Sequence, residues 1–286
     1  MNLRFVALFA VQTIRETVRR RILWVLLGLS LASVALVGYG VDRLVTSARA
    51  DGVGDFEIFV GTSQVLILIA FMFSFVLAMS GAFLAAPAIA SPVESGVALA
   101  ILARPVRRGE LVIGHWLGLT VLITAYTFVS GALAMGVVAL VSGYTPPQPL
   151  TALVFLAFEA VIVATLALAL GTRLPSIAAG AISVVVFAVA WFAGVLGGVA
   201  QAFGNDSLRS TTDLVRVLVP TDGLWRGVVF GLEPPLAILL ALGRQVREAN
   251  PFYADQPPAV PFILWSIAWV VIVLAAAIAA FRRREL

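Results

Sequence analysis

The chain has 286 residues, 61% of them hydrophobic and only 12% charged, with a mean hydropathy of +1.06. A soluble domain carries about a quarter charged residues, so this composition excludes an ordinary water-soluble globule. Cysteine is absent, which excludes disulfides, thiolate metal sites and thiol chemistry together.

The first twenty residues predict an amphipathic helix. Leu3, Val6, Ala7, Ala10, Ile14 and Val18 fall on one face at helical spacing, and Gln12, Arg15, Glu16 and Arg19 on the other. Such a helix is expected to lie in a headgroup layer before the chain enters the bilayer. Six charge-poor runs then reach the ~20 residues that cross ~30 Å of hydrocarbon. They lie near Arg21 to Val41, Val60 to Pro87, Leu111 to Val141, Leu150 to Leu170, Ser176 to Phe203 and Val260 to Phe281. The fold class read from this pattern is an all-α polytopic membrane protein of one domain, residues 1–286. No cleavage site follows the first run, which is expected to act as an uncleaved anchor.

Orientation follows from the basic residues, all of which are Arg. With both termini inside, twelve arginines face four acids on the inner side, and seven face ten acids outside. The positive-inside rule therefore predicts cytoplasmic termini in a cytoplasmic (inner) membrane. The pI of about 10.3 reports this asymmetry and is no sign of nucleic-acid binding.

Between the second and third runs, residues 91–110 form a short polar and basic interruption. Ser91, Pro92 and Glu94 carry the pattern of a capping box, with Ser91 at the N-cap and Pro92 at the first helical position. Arg104-Pro105 stops that predicted helix about three turns later, because the residue before proline is pushed out of the α region. Val97, Ala100 and Ile101 would form its apolar face. A loop that merely joins two spans needs no capped helix, whereas one gripped by another protein does.

Glu159 is the one carboxylate inside a span, flanked by Phe155 and Phe158. An ionisable group there is either functional or a protonated side chain bonded to a neighbouring helix. Small residues four apart occur at Gly114 and Gly118, Ala132 and Gly136, and Gly194 and Gly198, and permit close helix approach. The single histidine, His115, sits at the end of the third span. Residues 204–259 hold two apolar pieces too short to span, Asp213 to Pro220 and Leu236 to Gly243. These fit either re-entrant helices shielded by protein or a surface cap.

Catalytic chemistry is missing. The chain has neither a Gly-x-x-x-x-Gly-Lys-Ser/Thr phosphate loop nor a His-Glu-x-x-His zinc motif. No catalytic, metal or cofactor residues are therefore expected.

These residues resemble the ABC-2 type permeases, membrane subunits of ABC transporters whose ATPase is a separate polypeptide. The subgroup most similar includes the permease for nitrous-oxide reductase copper-site maturation. The resemblance is carried by Glu94 and Gly96, then Arg104, Pro105, Val106 and Arg108, then Gly114, Leu117 and Gly118. His115 stands where the family pattern has Lys, and Ser91-Pro92 replaces its charged pair. The resemblance implies a non-catalytic subunit of an exporter, working as a homodimer or heterodimer of permeases in a lipid bilayer. Two separate ATPases would bind the ATP and dock on the loop. Glu94, Gly96, Val97, Ile101, Arg104, Pro105 and Arg108 would be the coupling residues. Two rival readings are a secondary transporter, which calls for inverted repeats and a broken-helix site, and a polytopic membrane enzyme, which calls for a clustered nucleophile, base or metal set.

Overall fold

The computed structural model describes residues 2–19, 21–96, 107–233, 250–254 and 256–284. The described residues form helices and no strands. They are α1 (Leu3–Arg19), α2 (Arg21–Ala50), α3 (Asp55–Glu94), α4 (Arg108–Ser142), α5 (Pro149–Gly171), α6 (Ser176–Ala202), α7 (Asp206–Leu218), α8 (Thr221–Leu232) and α9 (Val260–Arg282). Six of them, α2 to α6 and α9, are long and apolar enough to cross a membrane, and they contain the six runs predicted above to within one residue at the end of α6.

The bundle is built around α5. Its sequence is apolar on nearly every side, as is that of α9, so either could face lipid or protein; packing puts α5 inside, with 72% of its most hydrophobic stretch buried against 22% in α9. The most extensive pairing is α3 with α5, made through small residues. Gly171 lies against the Ala86 carbonyl, where an added Cβ would stand 2.6 Å from the oxygen, and Gly81 faces the Ala160 carbonyl. Without a hydrophobic force between helices in lipid, such backbone approach is what drives association.

At one end of the bundle lie Arg107, Arg108, Arg173 and Arg282 to Arg284, which we call the basic end. At the opposite end α4 stops at Gly143, whose φ of +76° suits a residue without Cβ and whose N–H closes on the Ala139 carbonyl.

The amino-terminal helix packs on the protein with only part of its predicted apolar face, Val6 and Ala10 among it. α1 buries Val6, Phe9, Thr13 and Thr17, while Leu3, Leu8, Val11 and Val18 are exposed. The reason is the surface offered by α4. Gly114 and Gly118 leave a furrow into which Phe9, Ala10 and Thr13 fit; a Cβ on Gly114 would stand 2.5 Å from that of Phe9. His115, between these glycines, hydrogen-bonds the Thr13 hydroxyl at 2.7 Å and meets the Phe9 ring. Glu110, buried in the first turn of α4, accepts the Asn2 N–H at 2.6 Å and the Arg107 N–H at 3.2 Å. Of the other small-residue pairs, Gly194 is used within the chain, whereas a Cβ on Gly136 would meet nothing within 4 Å.

Candidate functional site

The loop between α3 and α4 is described at its flanks only; Val97, Ile101, Arg104 and Pro105 lie outside the described residues. The predicted capping box does not form. α3 continues without a break through Ser91, Pro92 and Val93 to Glu94 and ends at Ser95, followed by Gly96 at φ +75°. The Ser91 carbonyl accepts the Ser95 hydroxyl at 2.8 Å and closes the last turn of α3. The Ser-Pro-x-Glu pattern misleads because Glu94 has a better partner in the folded chain. Its carboxylate accepts the Ser176 N–H at 2.7 Å and so caps α6 at its first turn, where free N–H groups and the positive end of the helix dipole favour an anion.

Arg108, on the other flank, is also engaged within the chain. Its guanidinium donates to the carbonyls of Phe281 at 2.8 Å, Arg282 at 3.0 Å and Arg284 at 2.7 Å. It also lies over the Phe281 ring. Phe281 and Arg282 close α9 and Arg284 follows it, where helix carbonyls lack partners further along the helix. Arg284 in turn donates to the Thr172 carbonyl at 2.6 Å, tying α9 to the end of α5. Thus one flank of the loop holds α6 and the other holds α9.

α6 and α9 each also hold a helical hairpin. α7 and α8 are joined through Val219-Pro220, and the amphipathic α7 runs back along α6. The tip of this hairpin is fastened by an ion pair: Arg216 donates to Asp222 at 2.8 Å and to the Gly194 carbonyl of α6 at 3.2 Å. Asp222 is buried against Gly194, where any Cβ would overlap its carboxylate. From the other side, Trp265 and Trp269 of α9 donate to the Val217 and Leu218 carbonyls at 2.9 and 2.7 Å. Gly194 lies eight residues inside the end of α6, and Trp269 nine residues inside the start of α9. At 1.5 Å per residue both stand about 12–14 Å from those helix ends.

Of the segment after α6, α7 buries only Thr212, whereas α8 is buried on the bundle. Leu224, Val228, Val229 and Leu232 are fully buried, and α8 packs tightly on α5 through Gly227 against Phe155 and Gly231 against Gln148 and Ala152. Its far end is anchored by Tyr144, whose hydroxyl donates to the Leu232 carbonyl at 2.5 Å. Burial, together with the nearby Glu233 charge, pushes the Tyr144 phenol above its ordinary range. The predicted apolar piece from Leu236 to Gly243 lies outside the described residues.

Glu159 sits ten residues into α5, at the depth of the hairpin tip. It is 2% exposed and accepts the Ser74 hydroxyl of α3 at 3.1 Å. Asp222 is among the charges that act on it. Two buried polar atoms near the tip, Thr221 Oγ1 and Trp191 Nε1, have no hydrogen-bond partner among the described residues. The described residues contain no group of three or more His, Cys, Asp or Glu arranged to hold a metal.

Sequence reasoning singled out Glu159, the loop flanks and the segment from Val219 to Asp222, but did not pair Asp222 with Arg216 or find Trp265 and Trp269. The available signal was the break at Pro220 with opposite charges on either side of it. No signal at all paired the tryptophans with α7.

No curated protein matches the chain. The profile of the family described as ABC-2 family transporter protein matches residues 10–286, a stretch that includes every spanning helix, the loop flanks and the hairpin. With nearly its whole length matched, this multi-pass membrane protein belongs to the ABC-2 family of transporter proteins.

Proposed function

We propose that the chain is the permease subunit of an ATP-driven exporter, that its basic end faces the cytoplasm, and that a separate ATPase dimer drives it through the loop after α3. The chain works as a dimer of permeases, lining the translocation pathway and leaving ATP hydrolysis to its partner. The resemblance to the subgroup that includes the permease for nitrous-oxide reductase copper-site maturation rests on residues of this loop and of the start of α4.

The observation that carries this reading is the double use of α6 and α9. Glu94 and Arg108 hold their basic ends, and the same two helices hold the hairpin tip. A displacement of the loop therefore acts on both supports of the hairpin at once, and rigid helices carry it there. The unpartnered Thr221 and Trp191 atoms favour a tip with a second arrangement, since leaving a buried polar group unbonded costs about 1–3 kcal/mol. In this account Glu94 and Arg108 position the helices. Gly96 allows the turn out of α3, and Val97, Ile101, Arg104 and Pro105 belong to the surface offered to the ATPase.

The test is co-purification with a candidate ATPase followed by transport in sealed vesicles. The wild-type complex should hydrolyse ATP in a substrate-dependent way. Replacing Val97 and Ile101 by Asp should detach the ATPase, because a buried unpaired charge at an interface is strongly unfavourable. Transport by the purified permease with no ATPase present would overturn the reading.

A further inference from the structure

A cavity of about 300 Å³ opens between α2 and α3 and is floored by α4 and α5. It exists because α2 packs along α4 and meets α3 only sparsely. Leu29, Met72 and Val76 stand at its mouth, each substantially exposed on the flank of a spanning helix. The walls are apolar, with Leu66, Phe73 and Met135 among them, and none of the described lining residues is charged.

One strip of this wall is different. Tyr126 and Ser30 are hydrogen-bonded to each other across α4 and α2, and both line the cavity. Ser33 and Ser130 line it too, Ser130 being only 6% exposed, and neither hydroxyl is bonded to a described residue. Four neutral hydroxyls on one side of an otherwise apolar chamber make a site with an orientation. Ligand sites are of this kind: a largely apolar enclosure with a few placed polar groups that fix direction. The volume is at the small end of such sites, room for one slender chain or a compact ring.

We propose that this cavity binds one uncharged amphiphile, an apolar chain or ring ending in a single hydroxyl or carbonyl, which enters sideways from the bilayer. Its polar end meets Tyr126, Ser130 and Ser33, and its body lies along Phe73, Leu66 and Met135. A charged head is disfavoured because the cavity offers no counter-charge and removes water from it. The same chemistry is supplied by a resident neutral lipid or by an exported lipophilic molecule. Only the distinction between those two sources rests on the exporter reading; the site itself does not.

The test uses the full chain in phosphatidylcholine nanodiscs and two diazirine probes of identical chain length, a long-chain alcohol and the corresponding fatty acid. The alcohol should label peptides containing Ser30 to Val37 and Tyr126 to Met135 saturably. It should exceed the carboxylate by about tenfold or more. Tyr126→Phe combined with Ser130→Ala should weaken labelling about three- to tenfold, the loss of one or two hydrogen bonds. Ala134→Trp, which fills the chamber, should abolish it. If that variant fails to fold, the Phe/Ala pair alone decides. Equal labelling by the carboxylate, labelling unchanged in the variants, or labelling spread over exposed residues such as Leu140 and Val185 would each overturn the proposal. In a second arm with the ATPase bound, alcohol labelling that persists during ATP hydrolysis identifies a resident lipid. Labelling discharged by hydrolysis identifies a transported molecule. If ATP hydrolysis cannot be coupled to the chain, the exporter reading fails while the first arm still stands.

Discussion

Removing Arg216 should damage this protein more than removing Arg216 and Asp222 together. In the folded chain Asp222 is 5% exposed and lies 2.8 Å from the Arg216 guanidinium. Arg216→Ala leaves that carboxylate buried beside Gly194, and breaking a buried pair from one side costs about 3–5 kcal/mol. Two features place the expected loss at the lower end. Arg216 retains 22% exposure, so the site is not fully dry, and Arg226 stands 3.8 Å from the same carboxylate. We expect a loss of about 3 kcal/mol for Arg216→Ala. The double variant Arg216→Ala, Asp222→Ala should lose only about half of that, because it removes the stranded charge as well. The coupling between the sites should then be about 2 kcal/mol, well above the few tenths seen for independent positions. The assay is equilibrium unfolding in mixed micelles of wild type, both single variants and the double. Additive losses, or an Arg216→Ala protein as stable as wild type, would refute the argument that the ion pair fastens the hairpin tip.

Three further outcomes are expected. Gly118→Leu should dislodge α1 from α4, because even a Cβ there would stand 2.7 Å from the Ala10 carbonyl; overpacking of this kind costs about 1–3 kcal/mol, and proteolysis within residues 3–19 should become faster while the remaining helices stay protected. Glu159→Gln should fold and assemble like wild type, since the amide still accepts the Ser74 hydroxyl; a stable, assembled Gln variant that has lost transport would assign Glu159 a charge-dependent role instead. Tyr144 has its phenol pKa raised in the folded state, so its contribution is fully present below about pH 10, the value for an exposed tyrosine, and is lost as pH rises toward the folded value. An alkaline fall in stability should therefore be smaller in Tyr144→Phe, and an identical fall in both proteins would count against it.

The six spans, the all-helical architecture and the family were legible in the residues themselves, because each rests on local quantities. Apolar length decides what can span, and helices are the form in which a lone segment satisfies its own backbone in lipid. Glu159 stood out for the same reason: a carboxylate within an apolar run is anomalous wherever the helix later packs. The partners of polar groups were not legible. Ser91-Pro92-Val93-Glu94 has every local feature of a helix start, yet Glu94 caps α6, 82 positions away. Arg108 reads as a loop charge and closes the end of α9, more than 170 positions along the chain. The packing of α7 and α8 likewise depended on furrows made by Gly194, Gly197 and Gly227, and a glycine shows its use only when a neighbour fills the space it leaves. The sequence by itself determined which segments enter an apolar medium. Only the tertiary structure decided which helix end each charge would serve, because hydrogen bonding and helix-dipole interactions depend on distance in space and are indifferent to distance along the chain.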